Sequence, residues 1–169
     1  MAVCGKSGYG CPCGYLTDAK KECHCTPNQV QKYLSKVSGP LLDRIDIHIE
    51  VPSVKYKDLS DEISGEKSEI IRTRVKKARD IQLVRFKDDQ IFANSQMSYR
   101  LVRKYCKLDD QSRDLLKIAI TELGFSARCY DKILKVSRTI ADLGGKENIS
   151  SDHVSEAIQY RSLDRNMWM

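Results

Sequence analysis

Long apolar runs are missing from this sequence. None approaches the roughly 20 residues that a bilayer-spanning helix needs. The opening Met1-Ala2-Val3-Cys4-Gly5-Lys6 has no signal-peptide core either. Membrane-spanning and secreted classes are therefore set aside, and the expected location is the cytoplasm. Glycine and proline are scarce, at nine and four residues, which excludes collagen-like and low-complexity chains. Histidine stands only at 24, 48 and 153, in unrelated stretches. No Ser/His/Asp, Cys/His or paired-carboxylate pattern offers nucleophilic or acid–base chemistry. A phosphate-binding loop is absent as well. Gly5-Lys6-Ser7 has its ending, but the motif's first glycine would fall before residue 1.

What is present suits a globular chain. Apolar residues make up 41% and charged residues 31% of 169 residues, enough for one ordinary domain or two small ones sharing a core. The 29 basic side chains exceed the 23 acidic ones by six, which favours anionic partners such as nucleotides or nucleic acid. Seven cysteines in a reducing compartment point to metal binding or buried thiols rather than disulfides.

Residues 1–10 carry no structural pattern and read as a tag or linker. A cysteine-rich loop runs from Cys11 to Cys25. Thr26-Pro27 is an N-cap followed by proline at the first helical position. It opens a helix that carries Val30, Tyr33, Leu34 and Val37 on one side and stops at Ser38-Gly39-Pro40. Ile45, Ile47, Ile49 and Val51 alternate with Asp46, His48 and Glu50, which predicts a half-buried strand with His48 facing out. A lone strand needs partners from outside the chain. Helical spacing follows from Glu66 to about Phe86, with Ile71, Val75, Ala78 and Gln82 on one stripe. Shorter helices are predicted from Met97 to Cys106, from the Asp109 cap to Leu123 with Gly124 as the stop, and from the Ser126 cap to Gly144-Gly145. A last helix opens at Ser150 or Ser151 and runs to Tyr160. Four helices after residue 95, joined by short turns, make a compact bundle.

Three features carry chemistry. Cys11-x-Cys13 and Cys23-x-Cys25 place four thiols within fifteen residues, the number that tetrahedral zinc requires, with His24 as an alternative ligand. The competing reading is a loop of free thiols. Arg44 lies in Ser38-Gly39-Pro40-Leu41-Leu42-Asp43-Arg44-Ile45-Asp46, between the helix end and the strand. A guanidinium held there can reach a neighbouring subunit's phosphate, or pair locally with Asp43 or Asp46. Arg128 sits just inside the Ser126-capped helix, where free N–H groups and the dipole attract anions. It also reads as an ordinary solvated arginine. The helix with Arg72, Arg74, Lys76, Lys77, Arg79 and Arg85 is positive in its middle and nearly without aromatics. It is a candidate phosphate-facing surface with no means of stacking bases.

Taken together, Cys-Pro-Cys-Gly-Tyr at 11–15, Cys23-x-Cys25, the run Ser38 to Pro52, Ser-Ala-Arg at 126–128, Ile133 to Leu143 and Glu156 to Arg161 resemble the magnesium-chelatase-like AAA+ ATPases of the ComM/YifB type. The resemblance covers about residues 11–165, in order and at consistent spacing. It implies a bacterial ring ATPase, generally hexameric, that binds ATP and magnesium between subunits. In such proteins a Lon-protease-like domain and then Walker A and B come first, so the chain would begin after both. The implied fold is mainly α: the end of an AAA+ α/β core (cysteine loop, helix, one strand; 11–52), a long helix and connection over 53–94, and a helical lid bundle over 95–165. Arg44 matches the family's trans-acting arginine finger and Arg128 its sensor-2 arginine. Cys11, Cys13, Cys23 and Cys25 match a feature that looks like a zinc site. The resemblance also implies DNA as a partner, through branch migration during natural transformation. Gly10 departs from the pattern, because asparagine commonly precedes the Cys-Pro-Cys motif. The alternative is a stand-alone zinc-binding helical module that binds DNA or a protein.

Overall fold

A computed structural model describes residues 10–16, 21–36, 44–49 and 65–161. The tail over 1–9, most of Ser38–Pro52, Val37 and the connection before residue 65 lie outside the described residues. Among the described residues there are six α-helices: α1 (Pro27–Leu34), α2 (Ser68–Arg85), α3 (Tyr99–Tyr105), α4 (Asp110–Leu123), α5 (Ala127–Leu143) and α6 (Ser151–Gln159). A single 3₁₀ turn, Asn94–Gln96, joins α2 to α3. No helix among the described residues is long and apolar enough to cross a membrane.

Local chemistry sets most of these ends. Thr26 and Gln29 close a reciprocal capping box at the start of α1, with Pro27 at its first position. The Asp109 carboxylate accepts from the Ser112 N–H at 2.8 Å, and the Ser126 hydroxyl accepts from the Cys129 N–H at 3.2 Å. Gly124 ends α4 at φ 64°, in the left-handed region where a side chain is strained. At α6, His153 Nδ1 accepts from the Ser150 backbone N–H at 3.0 Å.

α5 is the centre of the bundle. It packs against α6, α2, α3 and the 3₁₀ turn, and α4 closes on α6. Its buried stripe of Cys129, Ile133, Leu134, Ser137 and Ala141 follows the helical period. Leu116 of α4, Val102 of α3, Val154 and Ala157 of α6 and Phe86 after α2 complete the core. Burying each large apolar side chain contributes about 1.5–3 kcal/mol. Phe86 meets Tyr105 edge to face at 5.3 Å, the arrangement aromatic quadrupoles favour. A parallel bridge between Leu108 and Ile149 ties the α3–α4 turn to the α5–α6 turn.

The strand expected over 45–51 does not form among the described residues. Among the described residues, 44–49 make no ladder, and the His48 N–H donates to the Tyr160 carbonyl at 2.8 Å. The facing is also reversed. His48 is 9% exposed, whereas Ile47 and Ile49 are 45% and 66% exposed. No strand among the described residues covers the isoleucines, and the segment lies along the end of α6. The stripe drawn on α2 is likewise only half realised. Ala78 and Gln82 are buried, but Val75 and Ile71, one and two turns earlier, are exposed because no other described element packs on that half.

Candidate metal centre and the arginine-bearing face

Turns bring the four loop cysteines together. The Gly14 N–H bonds the Cys11 carbonyl at 3.1 Å, which folds Cys13 back towards Cys11. Gly10 enters this turn at φ 72°, a conformation that glycine accepts freely and asparagine better than most residues. Lys21 then reaches the Tyr15 hydroxyl at 3.3 Å, holding the two ends of the loop close.

The Sγ atoms of Cys11, Cys13, Cys23 and Cys25 all lie within 4.8 Å of one another. The Cys11–Cys13, Cys13–Cys23 and Cys11–Cys23 separations are 3.3, 3.5 and 3.6 Å. Four thiolates about 2.3 Å from a central zinc stand about 3.8 Å apart, so the cluster fits a closed tetrahedral site after small outward shifts. His24 is exposed and is not part of the group. Burial works against the Cys11 thiolate, but hydrogen bonds from Cys13, Cys23 and the Tyr15 and Gly14 backbone outweigh it and hold the thiol down to about 6. At Cys23, a backbone bond from Cys25 favours the thiolate, yet desolvation and the Cys13, Cys11 and Cys25 thiols together push it up to about 12. One thiolate stabilised by protonated neighbours is what crowded cysteines adopt in the absence of a cation.

Arg128 occupies the second position of α5 and is exposed. One turn further along, Lys132 donates to the Arg44 carbonyl at 2.8 Å and pairs with the Asp46 carboxylate. The Ile45 carbonyl accepts from Arg161, whose side chain is buried beyond α6. The segment bearing Arg44 is thus fastened along the face of α5 whose first turn presents Arg128. Arg44 itself is exposed, and Asp46 is engaged by Lys132. Between this segment, α5 and α6 lies a cleft of ≈ 490 Å³ lined by Ile47, Ile49, Val136, Ile140, Lys135 and Tyr160, among others. The cysteines and the two arginines are separate features; no contact between them is recorded.

Sequence reasoning missed the polar centre of the bundle. Asp142, 1% exposed, accepts from Arg85 Nη1 at 2.7 Å, Asn94 Nδ2 at 2.8 Å and Arg138 Nε at 3.1 Å, and pairs with a second Arg85 nitrogen. Arg138 also donates to the Lys146 and Glu147 carbonyls at 2.6 and 2.7 Å, satisfying the turn that follows α5. Burial lowers the Arg138 pKa, opposed by the adjacent Asp142 charge and assisted by Arg85. A signal existed: Arg138 and Asp142, four residues apart, fall beside the apolar stripe of α5 rather than opposite it.

Two family patterns match the chain. "Magnesium chelatase, subunit ChlI C-terminal" matches residues 65–161, and "Magnesium chelatase, subunit ChlI" matches residues 6–59. The second begins inside the stretch that carries no motif of its own. The competence protein ComM of Haemophilus influenzae is 39% identical over 155 residues, covering 91% of this chain and 29% of that protein. YifB of Escherichia coli K12 is 37% identical over 142 residues, covering 83% of this chain and 27% of YifB. A Mycobacterium bovis protein is 29% identical over 151 residues, which is 89% of this chain and 29% of the relative. The chain therefore spans less than a third of the length of these relatives. Since one pattern alone takes in α2 to α6 and more than half of the residues, the chain belongs to the magnesium-chelatase-like family that includes ComM and YifB.

Proposed function

We propose that this chain is part of a bacterial cytoplasmic ring ATPase, a hexamer, that binds ATP and magnesium between subunits and couples hydrolysis to DNA remodelling such as branch migration. In this reading the bundle of α3 to α6 is the lid, and residues 11–52 close the AAA+ core. Arg44 stabilises charge on a neighbouring subunit's γ-phosphate in the transition state, and Arg128 contacts the γ-phosphate region from the lid. The observation that carries the reading is the fastening of the Arg44 segment to α5 through Lys132, one turn from Arg128. Family membership and the likeness to the competence protein ComM support it. Cys11, Cys13, Cys23 and Cys25 would hold zinc in a closed structural site, which stabilises the loop and leaves no open position for catalysis.

The test is Arg44→Ala in the full-length polypeptide that carries this sequence. ATP turnover is expected to fall 10³–10⁵-fold, roughly the worth of an arginine finger, with ATP binding retained. Unchanged turnover sinks the finger role. The 169-residue chain alone is expected not to hydrolyse ATP, because no residue in it can cradle the β- and γ-phosphates.

A second reading, a stand-alone zinc-binding module for DNA or a protein, is favoured by the apolar core, which among the described residues is drawn from Phe86 and α3 to α6 with the turns between them. That reading requires the chain to bind its partner without nucleotide and Arg44→Ala to leave that binding intact.

A further inference from the structure

We propose that α2 is a docking surface for duplex DNA, which Arg72, Lys76 and Arg79 hold by its phosphate backbone. The inference rests on the DNA-remodelling reading above and assigns a surface to it.

α2 has two halves. Its C-terminal half is locked into the bundle by buried Ala78, by Gln82 accepting from the Asn94 N–H at 3.2 Å, and by Arg85 on Asp142. The ten residues from Ser68 to Lys77 are all exposed and extend about 15 Å from that anchor. The helix carries six basic against two acidic side chains, which concentrates much of the net +6 of the chain in eighteen residues.

The cations sort by position. Arg74 is neutralised by a bidentate pair with Glu66, both bonds 3.0 Å long. With Lys77 it borders a cleft of ≈ 540 Å³ against the C-terminal end of α5 at Leu143–Gly145. That helix end is negative and repels anions. Arg72, Lys76 and Arg79 stand instead on the side turned away from the bundle, at spacings of four and three. None of the three has an ion pair among the described residues, although Glu69 and Asp80 lie on the same helix. Like charges at these spacings cost an isolated helix a few tenths of a kcal/mol each. A merely solvated face gains nothing from that repulsion, whereas an anionic partner removes it.

The partner is identified by chemistry. Three cations over about 10 Å of helix lie within reach of two or three phosphates of a strand that carries one charge per ~3.4 Å of duplex axis. α2 contains no aromatic residue on which unstacked bases could lie. Backbone contact with a duplex, indifferent to sequence, fits better than single-strand reading.

The experiment is nucleotide-free binding of a labelled mixed-sequence duplex to this chain, by fluorescence anisotropy across a salt series. Each of Arg72→Gln, Lys76→Gln and Arg79→Gln is expected to flatten the slope of log K against log[salt] by about 0.9, and the triple variant by about 2.7. Lys117→Gln, an exposed cation on α4, should leave the slope as it is. Circular dichroism confirms that the variants fold. A wild-type chain that fails to bind duplex at about 50 mM salt, or a triple variant with the wild-type slope, overturns the proposal. Tighter binding to polyglutamate than to the duplex also overturns it and assigns the stripe to an acidic protein. No arm involves ATP, so failure here leaves the Arg44 test untouched, and failure of that test leaves this one standing.

Discussion

Asp142 is the residue that the polar interior of the bundle converges on. Four hydrogen bonds from two guanidiniums and one amide saturate its carboxylate. Such a site gains little over an apolar core of the same shape, but breaking it leaves an uncompensated buried charge. Asp142→Asn keeps the volume and removes the charge while two arginines remain. It is expected to destabilise the chain by about 3–5 kcal/mol in urea unfolding; a loss under 1 kcal/mol would mean that water replaces the carboxylate. The same reasoning gives Asp89 a pH signature. Its carboxylate accepts from the Tyr105 hydroxyl at 2.5 Å, and that bond, aided by Lys104, holds its pKa below the usual carboxylate range. Its contribution is full above the unfolded value and is lost as pH falls through the folded one. Tyr105→Phe should raise the Asp89 titration point in a carboxyl NMR series. Only the placing of Arg138 and Asp142 beside the apolar stripe hinted at this centre, because a charged residue on a helix is read as solvent-facing by default. Arg138 escapes that default through Asp142 and the carbonyls of the turn after α5, while the Arg85 and Asn94 contacts that complete the Asp142 site come from α2 and the 3₁₀ turn, and no local pattern announces those.

At the scale of elements, the legible features are those whose chemistry is local. Thr26-Pro27, Asp109, Ser126 and Gly124 each end a helix through atoms within four residues of themselves, so spacing alone locates them. The segment 45–49 forms no strand because a strand is defined by its neighbour, which none of the described residues supplies, and His48 turns inward against the end of α6. The cysteine loop belongs to the legible group: two short Cys-x-Cys turns bring the thiols together without distant help. Among the described residues α1 buries none of its own, and the apolar core includes nothing before Phe86. If the loop holds zinc as proposed, removing it with a chelator is expected to deprotect amides over 21–36 in hydrogen exchange while those of α4 to α6 keep their protection. Binding must displace protons from the Cys23 and Cys25 thiols, both of which sit above the ordinary value, so zinc affinity should rise with pH. Native mass spectrometry that finds no metal on a well-folded chain would remove zinc from the account.

For the molecule as a whole, the contact that matters is the one no sequence pattern foretells, between residues 44–46 and α5 across more than eighty positions. Arg44 and Arg128 were each legible as candidates, one at a helix-to-strand junction and the other at a helix start. Their placement on one fastened unit was not, since it depends on Lys132 and Arg161 finding backbone carbonyls far away in the chain. If the proposed function holds, this fastening has a consequence for the ring. The lid that senses one nucleotide and the arginine offered to a neighbour's nucleotide then move together, so that a lid movement at one site repositions a catalytic charge at the next. Lys132 is the testable joint, because its ammonium grips the Arg44 carbonyl and the Asp46 carboxylate at once, with its side chain only 19% exposed. Lys132→Met keeps the aliphatic stem and removes the grip. In the full-length protein it is expected to lower ATP turnover at least tenfold at saturating ATP, with nucleotide affinity and the unfolding midpoint of the bundle nearly unchanged. The fall arises from a misplaced arginine rather than a lost one, so it should stay smaller than that of Arg44→Ala. It should also add nothing in the double variant, because removing the guanidinium leaves nothing for the joint to position. Full additivity of the two changes would show that Lys132 acts on something other than Arg44, and the coupling of neighbouring sites through this face would have to be abandoned.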